Sequence, residues 1–310
     1  MDTRIAVLIP CYNEEQTVAR VVDDFKKALP QAAIHVYDNN STDATAARAR
    51  EAGAIVTRET RQGKGNVVRA MFRDVEADAY VMVDGDATYP AAHVHALLEP
   101  VLRGEADLVV GDRLSHAYDA QNTRPLHGFG NRLVRWLINR FFASGLTDIM
   151  SGYRVMNRFF VKTMPVMSGG FEIETEMTLH ALDKRFRIAE MPIDYLSRPE
   201  GSESKLNTFR DGFKVLKTIA MVFKNYRPMH FFGICAALFC LLGLLAGLPP
   251  IMEYLSEQYV HRIPLAVLAA ALEILAMLFF CCGLILETIV RHYGEQYELY
   301  LTAYKSRERG

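Results

Sequence analysis

Two aspartates separated by one glycine, Asp84 and Asp86, follow a short apolar run in the first third of the chain. That run, Tyr80 to Val83, has the length and composition of a buried strand, so the aspartates are expected in a turn at its end. Carboxylate oxygens in such a turn suit a hard divalent cation, Mg²⁺ or Mn²⁺, and Mg²⁺ commonly takes further ligands from substrate phosphates. Because Asp and Gly are also ordinary turn residues, the pair gains meaning only from its surroundings.

Strands and helices are predicted to alternate along the N-terminal part of the chain. The apolar runs predict strands at Ile5 to Pro10, Ile34 to Asp38, Ile55 to Arg58, Tyr80 to Val83 and Asp107 to Val110. The segments between them predict helices from Glu14 to Leu29 with Asn13 as cap, from Ser41 or Thr42 to Ala52, from Gly63 to Val75 and from Ala91 to Leu102. This alternation favours an α/β fold with a parallel sheet covered on both faces. Ligands of such sheets bind beyond the carboxyl ends of the strands, the predicted location of Asp38, Asp84, Asp86 and Arg113.

Charge and cysteine usage exclude some classes of function. With 35 basic and 36 acidic residues, the chain gives no indication of a nucleic-acid partner. Its five cysteines show no metal-binding spacing, which is typical of a protein in a reducing compartment. The first apolar run is too short for a cleaved signal core, so the N-terminal part is expected to stay in the cytoplasm.

The C-terminal third has the composition of a lipid-embedded segment. Phe231 to Met252 carries no charged side chain, and Ile263 to Leu286 carries only Glu273. A helix rises about 1.5 Å per residue, so each run is long enough to cross a hydrocarbon core about 30 Å thick. Pro249 and Pro250 are expected to end or kink the first span near its far side. Burial as two core helices is the alternative, which the near absence of charge disfavours.

Lysine and arginine flank the two spans asymmetrically. Basic residues before the first span are Lys205, Arg210, Lys214, Lys217, Lys224 and Arg227, and those after the second are Arg291, Lys305, Arg307 and Arg309. The connecting loop contains only Arg262. Because positive charge stays inside, the chain is predicted to be a multi-pass protein of the cytoplasmic (inner) membrane, with the loop outside and its N-terminal domain facing the cytoplasm.

Residues 206–229 form a predicted juxtamembrane helix. Its apolar stripe consists of Phe209, Phe213, Leu216, Ala220 and Phe223, and a neighbouring stripe is cationic. This pattern favours a helix in the headgroup layer of an anionic leaflet, with packing onto the soluble domain as the alternative.

Glu273 lies near the middle of the second span, where burying an ionisable side chain costs free energy. It is interpreted either as a protonated acid at a subunit contact, the favoured hypothesis, or as a functional group near lipid.

Seven motifs together have the order and spacing of a known enzyme family. They are Pro10-Cys-Tyr-Asn-Glu-Glu15, Tyr37-Asp-Asn-Asn-Ser-Thr-Asp43, Gly63-Lys-Gly65, Asp84-Gly-Asp86, Gly111-Asp-Arg113, Ser151-Gly-Tyr-Arg154 and Arg198-Pro-Glu-Gly-Ser-Glu-Ser-Lys205. The whole chain thereby resembles glycosyltransferase family 2, in its polyprenyl-phosphate branch, which includes dolichol-phosphate mannose synthase. The resemblance implies a GT-A fold, a nucleotide-sugar donor, a polyprenyl phosphate acceptor, inverting transfer and Mg²⁺ or Mn²⁺.

The resemblance also implies roles for individual residues. It places Pro10, Tyr12, Glu14, Asp38, Lys64 and Asp84 at the donor nucleotide. It places the metal at Asp84 and Asp86, with Asp84 toward the nucleoside. It places Arg113, Arg124, Arg198, Ser204 and Lys205 around the acceptor phosphate. Catalysis is expected to depend most on Asp86, Arg113, Arg198 and Lys205.

The chain departs from the mannose synthase pattern at two positions, with Thr88 in place of Gln and Gly128 in place of Ser. These departures count against mannose as the sugar. The Tyr37-Asp-Asn-Asn run leads the resemblance to favour a UDP-linked donor with a glucose-type hexose or an N-acetylhexosamine. Glu172 and Glu174 are open to two interpretations, as carboxylates favoured in the first turn of a helix or as groups near the sugar or metal.

Two alternative functions are weighed against this prediction. A processive or hydroxyl-directed polysaccharide transferase carries a Gln-x-x-Arg-Trp motif, but here Arg132 stands in place of that Gln before Arg135 and Trp136. Two spans are also too few to line a polymer channel. A non-catalytic membrane scaffold with the same fold would tolerate a broken Asp-x-Asp motif, which is intact here.

The predicted domains are a catalytic GT-A domain at 1–205, the juxtamembrane helix at 206–229, two transmembrane helices at 230–290 with an external loop at 253–262, and a C-terminal cytoplasmic helix or tail at 291–310. The transmembrane helices are also expected to support a homo-oligomer.

The predicted orientation is testable by cysteine labelling on intact cells. In a variant without native cysteines, Gln258→Cys is expected to react with a membrane-impermeant maleimide, because the loop lies outside. Lys205→Cys is the matched control and is expected to react only after the cells are opened. Labelling of Lys205→Cys but not Gln258→Cys on intact cells would show that the orientation is reversed.

Overall fold

The computed structural model describes residues 3–113, 135–170, 172–196, 224 and 227–309. The chain divides into two compact units, Met1–Gly212 and Phe213–Gly310. Several predicted features lie outside the described residues, namely Arg124, Arg198, Ser204, Lys205 and the apolar stripe from Phe209 to Phe223.

A mostly parallel sheet forms the centre of the first unit. Its strands within the described residues are β1 (Ile5–Cys11), β2 (Ala33–Asp38), β3 (Ile55–Arg58), β4 (Ala79–Met82), β5 (Leu108–Asp112), β6 (Arg154–Asn157) and β7 (Ile188–Pro192). They are arranged in the order β3-β2-β1-β4-β6-β5-β7. Strand β6 runs antiparallel to β4 and β5, and the other described pairs are parallel. The predicted parallel α/β sheet is confirmed, with one reversed strand, β6, between β4 and β5.

Helices cover both faces of this sheet. They are α1 (Val18–Ala28), α2 (Thr45–Glu51), α3 (Lys64–Asp74), α4 (Val94–Leu102, after a 3₁₀ turn at Ala91–His93), α5 (Arg158–Thr163) and α6 (Ile173–Asp183). Successive residues of β1 point to opposite faces, so Val7 joins an apolar cluster with residues of α1 and α4, while Leu8 joins another with residues of α3 and α6. Because β1 is buried on both sides, its carboxyl end is held at a fixed position in the fold.

Asn13 does not cap α1, contrary to the prediction. The helix begins at Val18 with Thr17 as its N-cap residue, and Asn13 has a left-handed backbone, with φ 55°. The Asn13 side chain accepts a hydrogen bond from Thr42 N at 2.8 Å, and Asn13 N donates to Ser41 Oγ at 2.9 Å. These two hydrogen bonds join the loops after β1 and β2, and α2 begins at Thr45 rather than at the predicted Ser41 or Thr42.

The described part of the second unit contains two long helices, α7 (Pro228–Glu257) and α8 (Ile263–Arg309). Both are long and apolar enough to cross a membrane. Helix α7 continues through Pro249 and Pro250 to Glu257, so these prolines do not end the first span. Three of its four buried residues, Ala236, Gly243 and Pro250, recur every seven positions and so lie on one stripe of the helix. Prolines are tolerated inside membrane helices when neighbouring groups satisfy the freed backbone.

The connection between the two helices is shorter than predicted. Residues 253–257 are helical, and α7 ends at Glu257. Gln258, which caps it, has a left-handed backbone with φ 55°. Glu253 accepts hydrogen bonds from His261 N at 3.1 Å and Arg262 N at 3.2 Å, which closes the turn. Helix α8 then extends beyond the predicted end of the second span at Leu286 and reaches Arg309 as one helix.

Glu273 packs inside this helical pair. A Cβ added to Gly243 of α7 would lie 2.5 Å from Glu273 Oε1, so the carboxyl fits only against a glycine. Oε1 is buried and has no hydrogen-bond partner within the described part of the chain. An ionisable group at the middle of a span is costly, and the protonated acid stays a prediction. The contact that the structure describes is with the same chain, whereas the hypothesis of a subunit contact stays a prediction.

Candidate active site

Polar residues from three separate segments meet at the carboxyl ends of β1, β2 and β4. Cys11, the last residue of β1, is in register with Asp38, the last residue of β2, and both are buried. Burial raises the pKa of the Cys11 thiol well above its ordinary value, and the carboxylates of Glu14, Asp38, Asp84 and Asp86 raise it further. The structure therefore brings together the acidic residues that the sequence predicted at this edge.

The turn after β4 is fixed by its neighbours. A Cβ on Gly85 would lie 2.6 Å from Cys11 Sγ, so only glycine fits, and Gly85 O accepts a hydrogen bond from Thr17 Oγ1 at 2.7 Å. Asp86 is buried, and its Oδ1 accepts hydrogen bonds from Thr88 Oγ1 at 2.6 Å and Thr88 N at 3.2 Å. Thr88, the departure from the family pattern, thus orients one of the two predicted metal ligands.

Lys64 lies between two carboxylates. Its side chain is 9% exposed, and Nζ is 2.5 Å from Asp84 Oδ1 and also contacts Glu174 on α6. Burial alone would lower the pKa of Lys64, but the adjacent Asp84 and Glu174 carboxylates outweigh it and raise the pKa. Glu174 is buried while Glu172 is exposed, so the structure connects only the former to the site.

The glycines on either side of Lys64 permit a close backbone crossing. Gly65 N donates a hydrogen bond to Gly170 O at 3.0 Å, and a side chain at Gly63 or Gly65 would collide with the backbone of residues 168–169. Glu176 holds this crossing segment by accepting hydrogen bonds from Met167 N and Ser168 N, both at 2.7 Å. The Gly-Lys-Gly motif therefore positions Lys64 through the backbone.

Arg113 forms a two-pronged ion pair at the end of β5. Its Nε lies 2.7 Å from Asp148 Oδ2 and its Nη2 lies 3.0 Å from Asp148 Oδ1, while the guanidinium carbon is 5.4 Å from the Tyr195 ring centroid. Burial alone would raise the pKa of Asp148, but the Arg113 guanidinium holds it below its ordinary value. Sequence reasoning missed Asp148, because it is 35 residues from Arg113 and belongs to no recognisable pattern.

The remaining predicted donor residues lie at the end of β1 or just after it in sequence. Pro10 belongs to that strand and is partly buried, Glu14 follows it, and Tyr12 is 39% exposed at the same edge. Glu14 N donates a hydrogen bond to Thr45 Oγ1 at 2.8 Å, which fixes this loop to the start of α2. An exposed aromatic ring beside buried carboxylates is a suitable surface for a flat nucleobase.

The chemistry of the donor set fits a cation that binds together with a substrate. Among the residues that the structure describes, no three His, Cys, Asp or Glu side chains are grouped so that they could hold a metal ion. Asp84 and Asp86 supply carboxylate oxygens on one turn, and Lys64 neutralises part of that charge. Such a set suits an ion that takes its other ligands from phosphate and water rather than from a closed protein cage.

Comparison with known proteins decides the family. Residues 6–164 match the family model described as glycosyl transferase family 2. The chain belongs to this family. It is a glycosyltransferase with a GT-A fold, as predicted.

Two relatives from Haloferax volcanii are similar over most of the chain. Glycosyltransferase AglJ is 32% identical over 293 residues, which cover 94% of this chain and 95% of that relative. A dolichyl-phosphate hexose transferase is 28% identical over 218 residues, which cover 70% of this chain and 93% of the relative. A relative named for dolichyl phosphate supports the predicted polyprenyl-phosphate branch.

Among solved structures, glucosyl-3-phosphoglycerate synthase from Mycobacterium tuberculosis, in complex with Mn²⁺, UDP and phosphoglyceric acid, has the same fold. The likeness has a TM-score of 0.60 at 22% identity and covers 72% of this glycosyltransferase and 78% of that chain.

Gly152 generates a prediction about the acidic turn, because a Cβ at this position would collide with the Asp84 carboxylate. Gly152→Ala is expected to displace Asp84 from Lys64 and to weaken the binding of Mn²⁺ with a nucleoside diphosphate about tenfold, since overpacking typically costs about 1–3 kcal/mol. Titration calorimetry on the full chain in detergent measures this affinity. Gly145→Ala is the matched control, because the added methyl group would meet nothing within 4 Å. Equal affinities for the two variants would show that the position of Asp84 is irrelevant to binding.

Proposed function

We propose that this glycosyltransferase moves a hexose or N-acetylhexosamine from a UDP-linked donor to a polyprenyl phosphate, with inversion, at the cytoplasmic face of the membrane. The observation that carries the proposal is the cluster of Asp38, Asp84 and Asp86 with the buried Lys64 at the carboxyl ends of the strands. The same chain contains two helices that are long and apolar enough to span a membrane.

The donor half of the proposal rests on this cluster. Asp38 and the exposed Tyr12 would hold the ribose and base, with Pro10 and Glu14 shaping the loop between them. Asp84 and Asp86 would hold Mg²⁺ or Mn²⁺, which, when bound, stabilises the charge that develops on a diphosphate leaving group. Lys64 would add a cation beside the same phosphates. The fold it shares with a synthase solved with Mn²⁺ and UDP supports this choice of ligands.

The acceptor half rests on Arg113 and on the chemistry of phosphate. A phosphate monoester has a second pKa of about 6, so it is largely dianionic and already nucleophilic at neutral pH. Its approach to a second phosphate-bearing molecule must be offset by cations. Arg113 would act there with Arg124, Arg198, Ser204 and Lys205, and the relative named a dolichyl-phosphate hexose transferase supports a lipid phosphate as acceptor.

The membrane part of the proposal follows from charge. The catalytic domain at 1–205 and both termini would lie on the cytoplasmic side, and the basic helix at 206–229 would lie in the headgroup layer, at the depth of a lipid phosphate. The spans would fix the enzyme to the surface that contains its acceptor. A homo-oligomer through these spans belongs to the same proposal.

Removal of the Asp86 carboxylate tests the donor half. Asp86→Ala is expected to lower the rate of sugar transfer at least about a hundredfold and to weaken Mn²⁺ binding, because the ion loses a ligand. Asp23→Ala, which removes an exposed carboxylate on α1, is the control and is expected to retain the wild-type rate. Full activity of Asp86→Ala in excess chelator would contradict the assignment.

The rival function, transfer to a sugar hydroxyl, requires a general base, and the carboxylates to test are Glu172 and Glu174. A phosphate acceptor needs no base, so Glu172→Gln and Glu174→Gln are expected to keep kcat within about tenfold of the wild type, with any loss at Glu174 appearing as a higher donor KM. A loss of kcat of about a thousandfold in either Gln variant, with both substrates still bound, would identify a base and favour the rival.

Arg198→Ala and Lys205→Ala are expected to raise the KM for lipid and to leave donor binding nearly unchanged.

A further inference from the structure

Arg154 is a buried cation that contacts no carboxylate among the described residues. It is the first residue of β6 and is 0% exposed. Its guanidinium donates from Nε to Ser151 O at 2.9 Å, from Nη2 to Ile149 O at 2.9 Å and from Nη1 to Thr178 Oγ1 at 3.0 Å. All three acceptors are neutral. Burying an arginine in this way is costly unless charges nearby compensate for it.

The compensating charges are the two carboxylates that hold the cations of the active site. Burial lowers the pKa of Arg154 to about 10, and the charges of Glu174 and Asp148 oppose that shift. Glu174 contacts Lys64, and Asp148 forms the two-pronged pair with Arg113. The charge of Arg154 therefore interacts with both anions, the one that contacts Lys64 and the one that pairs with Arg113.

The hydrogen bonds of Arg154 join the two backbone segments that carry these anions. Ile149 follows Asp148 directly, so the bond to Ile149 O fixes the turn beside Arg113. Thr178 is one helical turn after Glu174 on α6, and Thr178 Oγ1 is 3.1 Å from Glu174 O. A single planar guanidinium thus spans the distance between the turn and the helix.

We propose that Arg154 is a positioning residue that fixes the donor-side pair Lys64–Glu174 relative to the acceptor-side pair Arg113–Asp148. This inference rests on the proposed function, because it assigns the two cations to two phosphate-bearing substrates. Their reacting atoms must meet in one geometry, and a misplacement of about 1 Å can cost about a hundredfold in rate. A lysine cannot replace this arginine fully, because it lacks the planar fork that reaches three acceptors at once.

The test uses the full chain in lipid nanodiscs and changes Thr178 first, since this leaves the buried charge in place. Thr178→Val removes the hydroxyl with little change of shape, and Thr178→Ser keeps it. All measurements are made well below the unfolding temperature. The first is the Kd of the nucleotide in the presence of Mn²⁺, with UDP as the nucleotide or with GDP if the wild type binds only GDP. The second is kcat for sugar transfer. Thr178→Val is expected to raise Kd about fivefold and to lower kcat about tenfold, and Thr178→Ser is expected to restore both to within about twofold.

A purely structural role would have a different signature. It would lower the unfolding temperature of Thr178→Val and leave Kd and kcat unchanged, which would overturn the proposal. Arg154→Lys is expected to retain more activity than Arg154→Met, because lysine keeps the positive charge. Equal activities of these two variants would also contradict the proposal. If the wild type transfers no sugar to a polyprenyl phosphate, the proposed function fails, and the change in nucleotide Kd still decides whether Arg154 positions the donor site.

Discussion

The contact of Lys64 with Asp84 and Glu174 is the interaction on which the rest of the active site depends. Carboxylates gathered at the ends of β1, β2 and β4 repel one another, and a buried charge is tolerated only when it is paired. Lys64 pairs with one of them and ties it to α6. The backbone crossing at Gly63 and Gly65 serves this contact, since it holds the lysine at the start of α3 against the segment that leads into α6.

The same principle organises the other side of the site. Arg113 is held by a buried aspartate, Asp148, and by the ring of Tyr195. Lys64 and Arg113 thus each have a buried anion behind them, and the charges of both anions stabilise the buried Arg154. Under the proposed function, this arrangement would present positive charge to a phosphate without requiring the side chains to reorganise when the substrate arrives.

Much of the fold could be predicted from the sequence, because its signals are local. The apolar runs and turn residues of β1 to β4 specify a parallel sheet, and the Asp84-Gly85-Asp86 spacing identifies the edge where ligands bind. Asp148 and Thr178 were missed because they act through contacts with residues far away in sequence. Asn13 was assigned to a helix cap on local grounds, whereas its side chain joins another loop. Helix α7 also continues past Pro249 and Pro250, where local propensity favours an end of the helix.

The central claim is that the acceptor is a lipid phosphate, and the most direct measurement compares two lipids that differ only in that group. Purified enzyme in nanodiscs is incubated with Mn²⁺, a polyprenyl phosphate or the corresponding polyprenol, and UDP-glucose, UDP-N-acetylglucosamine or GDP-mannose in turn. The lipids are then analysed by mass spectrometry. The account predicts a hexosyl or N-acetylhexosaminyl polyprenyl phosphate from a UDP donor and no product from the alcohol. Sugar on the polyprenol, or no lipid-linked product from any donor, would contradict it.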